Sequence, residues 1–112
     1  MIIKAGDCES VSKRLLEASH GCYRIALDER GETPTTRDLA GKFDTMEISG
    51  EVKTVAFLIG AADGHSHELR NRCDLVLSLS SMTLQHELAL VVLFEQLYRI
   101  ASIKAGSPYH RD

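Results

Sequence analysis

The run Thr54-Val55-Ala56-Phe57-Leu58-Ile59 is apolar without interruption after its first residue and ends at Gly60. A half-exposed strand alternates apolar and polar residues, so a continuous run of this length suits a strand covered on both faces, as in a parallel sheet. Around it, strand-like and helix-like segments alternate. The expected architecture is therefore a single α/β domain over 1–112, with helices packed on a mainly parallel sheet.

The other elements follow from periodicity and punctuation. Ile2-Ile3 is a minimal first strand. Asp7 to Ser19 is a helix with Val11, Leu15, Leu16 and Ala18 on one side, stopped near Gly21. Tyr23 to Leu27 is a short strand ending at Asp28-Glu29-Arg30-Gly31, and Gly31 to Thr35 is a loop. Thr35 or Thr36 can cap a second helix, with Asp38 in its first turn and Leu39, Ala40, Phe43 and Met46 facing inward until Ser49-Gly50. Gly60 to Gly64 is a turn, His67 to Arg72 a short helix, Leu75 to Leu79 a strand and Ser80 to Thr83 a polar loop. The last helix runs from about His86 to Lys104 and ends at Gly106-Ser107-Pro108. Its Leu88 to Phe94 half is apolar almost all round, which implies a second covering surface supplied by another subunit.

Composition narrows the functional classes. No apolar run reaches the ~20 residues of a membrane helix, and the N-terminus turns polar too soon for a signal peptide, so no membrane association and a cytoplasmic location are expected. Cys8, Cys22 and Cys73 are odd in number and lack CxxC spacing, which reads as free thiols. His65, His67 and Cys73 do not converge in an evident way, and no metal is expected. The formal net charge is −3, and all of the acidic excess lies before residue 65. Phosphate binding usually shows as a basic surplus, so any RNA substrate is held by a local patch or by a surface shared between subunits. Ligands of parallel sheets sit at the carboxyl ends of strands, here Leu27-Asp28, Ile59-Gly60 and Leu79-Ser80.

The last third of the chain is more specific. Leu79-Ser80-Ser81-Met82-Thr83-Leu84-Gln85-His86 is similar to the cofactor loop of the RlmH family, within the SPOUT methyltransferases. Glu95-Gln96-Leu97-Tyr98-Arg99 resembles that family's helix motif, and Pro108-Tyr109-His110-Arg111-Asp112 its C-terminal signature. Leu58-Ile59-Gly60 with Gly64 resembles its glycine turn, and Leu27-Asp28 with Gly31 its earlier strand end. The resemblance implies a C-terminal trefoil knot, which pattern alone would not suggest. It further implies a homodimer, and N3-methylation of a pseudouridine in 23S ribosomal RNA of the large subunit, with S-adenosyl-L-methionine (SAM) as methyl donor. Leu27, Gly60, Gly64, Leu79, Ser80, Ser81, Met82, Thr83 and Leu84 are then the cofactor-binding residues. Backbone groups in the Ser80 to Leu84 loop can read an adenine, and glycine at 60 and 64 allows close approach. His110 and Arg111 are the implied catalytic residues, the first as a candidate proton acceptor and the second as a fixed cation.

The sequence departs from the family in four places. Members are longer at the N-terminus, Ala61 stands where a second glycine is usual, Gln85 replaces a proline, and Leu90 replaces an arginine on the last helix. Two further readings follow from these changes: a SPOUT methyltransferase acting on another RNA, or a non-catalytic knotted dimer that binds RNA or protein.

Overall fold

The computed structural model describes residues 8–59, 65–80, 82, 84–106 and 108–110. The segment Ile2-Ile3 lies outside them. In chain order the elements are α1 (Cys8–Ala18), β1 (Tyr23–Glu32), α2 (Thr36–Ser49), β2 (Val55–Ile59), α3 (His67–Asn71), β3 (Leu75–Leu77) and α4 (His86–Lys104). The three strands form one parallel sheet in the order β2-β1-β3.

Alternating side chains send each strand into two helix layers. Ala26 of β1 and Leu58 of β2 pack with Val11, Leu15 and Leu16 of α1 and Leu69 of α3, joined by Ala56, Cys73 and Val76. On the other face, Ile25, Leu75 and Leu77 pack with Leu39 of α2 and Ile100 of α4, joined by Tyr23, Leu27, Phe43, Val55 and Phe57. The uninterrupted apolar run of β2 is thus explained: Ala56 and Leu58 face one layer, Val55 and Phe57 the other.

The open choice of cap for α2 falls on Thr35. Its hydroxyl accepts from Asp38 N at 3.1 Å, and the Asp38 carboxylate accepts from Thr35 N at 3.2 Å, a reciprocal pair that satisfies two otherwise orphaned donors. Gly50 closes the helix in the left-handed region, with φ 68°. The second layer is tied across its helices by Thr36 Oγ1 donating to Gln96 Oε1 at 2.6 Å and by the Lys104–Glu47 ion pair.

Two boundaries differ from expectation, for one reason. β1 does not end at Leu27 but continues to Glu32, and Gly31-Glu32 is strand rather than loop. Leu77 pairs first with Leu27 and then, after a register shift, with Glu32, so Asp28 to Gly31 arch out between two pairings. Ser78 N donates to Glu32 O at 2.7 Å and closes the second pairing. β3 correspondingly stops at Leu77, and Leu79 lies beyond the strand while still packing on the core. The arch is possible because residue 31 has no side chain. A Cβ there would meet the Val76 carbonyl carbon and oxygen at 2.5 Å and Leu77 N at 2.7 Å.

Gly31→Ala therefore forces β1 away from rigid backbone rather than from a movable side chain. The expected cost is about 1–3 kcal/mol, typical of overpacking, seen as a lower urea midpoint with an unchanged slope. An unchanged midpoint would show that the strands do not close on this residue.

Candidate functional site

Parallel pairing puts all three carboxyl ends on one edge. Leu27 is in register with Ile59 on one side and with Leu77 on the other. Leu27 and Ile59, from two of the expected ends, are thereby neighbours, while Leu79-Ser80 of the third lies just past the last residue of β3. Beyond β3 the chain turns tightly: Ser78 Oγ donates to Ser80 O at 2.5 Å, and Ser80 Oγ accepts from Met82 N at 3.0 Å. Leu79, Ser80 and Leu84 are half-buried, whereas Met82 is 74% exposed. This edge thus offers an apolar side chain to a ligand next to a turn whose backbone is held by its own serines. Gly60, Gly64, Ser81, Thr83 and Arg111 lie outside the described residues.

The arch in β1 carries a charge cluster that the sequence marked only as a strand end. The Asp28 side chain is 2% exposed. Its Oδ1 accepts from Arg30 N and Arg30 Nε, both at 2.9 Å, and its Oδ2 from Arg30 Nη2 at 3.0 Å. Burial alone would raise the Asp28 pKa. The side-chain hydrogen bonds from Arg30, then its backbone N–H and its charge, together with the His65 N–H, outweigh burial and hold it at about 2. Arg30 Nη2 also donates to His65 O at 3.4 Å. Because Asp28 is matched by Arg30, its charge is committed to holding the arch.

His65 is 2% exposed, with Nε2 2.8 Å from Leu58 O. Burial holds its pKa below the ordinary value, against the opposing pull of the Leu58 carbonyl, the Asp28 charge and the Leu27 carbonyl. The ring therefore fastens residue 65 to the end of β2 as a neutral group, and the Asp28 carboxylate does so from β1. Among the described residues no cluster of three or more His, Cys, Asp or Glu could hold a metal ion. His67 is exposed and paired with Asn71 at 3.0 Å, and burial raises the Cys73 thiol to about 11.

The C-terminal signature docks on α4. Tyr109 Oη donates to Glu95 Oε1 at 3.2 Å, Arg99 Nε donates to the same oxygen at 2.5 Å, and Arg99 Nη1 lies 3.4 Å from His110 Nδ1. The guanidinium sits 5.0 Å from the centre of the Tyr109 ring, which meets Tyr98 edge-on at 4.7 Å. Tyr98 belongs to a row of exposed apolar side chains along α4: Leu88 at 50%, Val91 at 63%, Phe94 at 62% and Tyr98 itself at 59%. Leu90 and Val92 are half-buried, and Leu93 turns into the chain's own core.

A separate groove of about 760 Å³ runs between α1 and α3, lined by Lys13, Glu17, His20, Arg24, Glu68 and Arg72 among others. None of the expected site residues lines it. Arg24 is committed there: it donates to Ser19 Oγ at 2.8 Å, Leu16 O at 3.0 Å and Arg72 O at 3.4 Å.

A parallel three-stranded sheet with helices on both faces places the chain among the α/β proteins, and the arrangement is consistent with the SPOUT fold. A family described as "Predicted SPOUT methyltransferase" matches residues 4–110, and the chain belongs to that family. It is 48% identical over 99 residues to the Ribosomal RNA large subunit methyltransferase H of Thermus thermophilus, covering 88% of this chain and 69% of the relative. It is 46% identical over 101 residues to the protein of that name from Neisseria meningitidis, covering 89% of this chain and 64% of the relative. For that from Mesorhizobium japonicum the figures are 46% over 91 residues, 81% and 56%. The chain thus spans between about half and seven-tenths of these relatives' length.

The depressed Asp28 pKa sets a pH dependence. Its stabilisation is complete above the ordinary value of 3.8 and is lost as pH falls through about 2. At 1.36 kcal/mol per pKa unit the contribution is on the order of 2 kcal/mol. Urea unfolding of wild type and Asp28→Asn across this window should converge by that amount at the acid end. Parallel curves would show that the carboxylate is not held by Arg30.

Proposed function

We propose that this chain is a SAM-dependent methyltransferase that methylates N3 of a pseudouridine in 23S ribosomal RNA of the large subunit, in the cytoplasm. The observation that carries the reading is the register of Leu27 between Ile59 and Leu77, which gathers the motif-bearing strand ends on one edge. The relatives' name supplies the substrate class.

The residues present suit the cofactor. Leu27, Leu79 and Leu84 offer apolar walls and Met82 an exposed apolar side chain, while the Ser80 turn offers backbone donors and acceptors for an adenine edge. Gly60, Gly64, Ser81 and Thr83 complete the set in this reading. The bound cofactor supplies an electrophilic methyl on a sulfonium. The protein's part is to align the base and keep competing nucleophiles out. His110 and Arg111 are the tail residues that meet the uracil ring and its phosphate. With a net charge of −3, the chain relies on a local or shared surface for RNA affinity.

Large subunits from cells lacking the mark, incubated with the protein and methyl-labelled SAM, should acquire one methyl, at N3 of a pseudouridine. Methylation of another RNA or nucleotide would move the reading to a different target, and failure to bind SAM in calorimetry would reduce the chain to a non-catalytic binding module.

The homodimer rests on α4. Leu88, Val91, Phe94 and Tyr98 recur every three or four residues, so they share one helix face, and that face is exposed in the single chain. A two-fold axis through it would bury the row against its own copy and bring each tail, docked beside Tyr98, to the seam. Sedimentation at micromolar concentration should show a dimer. Phe94→Glu should shift it to monomer while the circular dichroism spectrum stays folded. A wild-type monomer would remove the shared site.

A further inference from the structure

We infer that Arg99 is a positioning residue that fixes His110 as the tautomer with its proton on Nε2, so that His110 acts on the substrate as a hydrogen-bond donor and not as the base that removes the N3 proton. The inference rests on the reading above in which the tail belongs to the catalytic site.

A guanidinium has donors and no acceptor. With Arg99 Nη1 3.4 Å from His110 Nδ1, that ring nitrogen presents a lone pair to it. In a neutral imidazole the proton is then on Nε2. Arg99 cannot swing aside cheaply. Its Nε is held by Glu95 Oε1 at 2.5 Å, its Cζ lies over the Tyr109 ring at 5.0 Å from the centre, and Glu95 is held in turn by the Tyr109 hydroxyl. For Nε2 to serve as a base it would need a lone pair, which places the proton on Nδ1, pointing at the N–H of Arg99. The arrangement inverts that of a hydrolase triad, where a carboxylate on Nδ1 holds the ring ready to accept a proton on Nε2.

A donor has a use in this reaction. The N3 proton is an imide proton flanked by two carbonyls, and once it leaves, the negative charge spreads onto those oxygens. The Nε2–H of His110 donates to one of them and stabilises that anion, as oxyanion donors do elsewhere. The proton goes to solvent water. The N3 lone pair then forms the N–CH3 bond while the S–CH3 electron pair returns to sulfur, leaving a neutral thioether. No oxidant, metal or protein base is consumed.

The tautomer can be read without substrate, by long-range proton–nitrogen correlation on protein with 15N-labelled histidine. Wild type should show His110 Nδ1 as the unprotonated nitrogen and Nε2 as the protonated one. Arg99→Met should lose that bias and Arg99→Lys, which keeps a cationic donor, should restore it in part. A protonated Nδ1 in wild type overturns the inference, whether or not the ribosome assay succeeds. In turnover, His110→Gln keeps an N–H near the Nε2 position without a basic nitrogen. It should stay within about tenfold of wild type, whereas loss of a general base lowers rates by ~10²–10⁴-fold. A loss of that size, in a variant that is still dimeric and binds SAM normally, would restore His110 as the base. Full activity in a chain ending at Pro108 would remove the donor role altogether.

Discussion

The parallel pairing of β1 with a strand on each side is the constraint on which the rest depends. A central strand has no free edge, and here both of its faces are also covered, by α1 and α3 on one side and by α2 and α4 on the other. Ile25 and Ala26 are 0% exposed as a result. The strand's carboxyl end is the place where its backbone emerges from this enclosure, so polar groups there can meet a ligand without breaking the core. The arch at Asp28 to Gly31 uses that freedom. It turns four residues out of the ladder and recovers the pairing at Glu32, at the cost of a position where only glycine fits.

Two arginines serve the scaffold directly. Arg30 is held by a buried carboxylate, and Arg24 joins the Leu16 carbonyl of α1 to the Arg72 carbonyl after α3 while its own N–H donates to Asp74 Oδ2 at 2.8 Å. The Arg30 charge is offset at close range by Asp28 and so adds little to a field that could attract RNA. This agrees with the absence of a basic surplus in the composition. For an RNA methyltransferase of this size, geometry at a short sheet edge and, in the proposed dimer, a seam between subunits would supply what net charge does not.

Much of this was legible in the sequence. Continuous apolar runs marked β2 and β3, and a 3.6-residue period marked α1 and α2. The apolar Leu88 to Phe94 stretch announced a helix with more surface to cover than one chain provides, and Leu88, Val91 and Phe94 are indeed exposed. The arch was not legible, because Asp28-Glu29-Arg30-Gly31 has the composition of an ordinary turn, and only the fold shows Gly31 against Val76. The Asp28-x-Arg30 spacing was the available sign of an ion pair there. His65 was hidden for a related reason. Its role depends on burial against Leu58 O, a contact between residues seven apart in sequence, and no local pattern distinguishes it from the exposed His67 two positions on.

The tail shows how a residue type can suggest one role and its neighbours another. In the sequence, a histidine beside an arginine at a chain end suggests a base beside an anion site. In the fold, among the described residues, a guanidinium, that of Arg99, lies 3.4 Å from the ring's Nδ1, and the Glu95 carboxylate on the same helix accepts from Arg99 and Tyr109. Exchanging which of the two charged groups touches Nδ1 would exchange proton acceptance for proton donation without moving the histidine. That choice is set by α4, where Glu95 and Arg99 are four apart on one face and present their paired ends to the returning chain. The helix whose apolar row is proposed to join two subunits therefore also sets the chemistry of the tail beside it, and in such a dimer a change at the seam would be felt at the histidine.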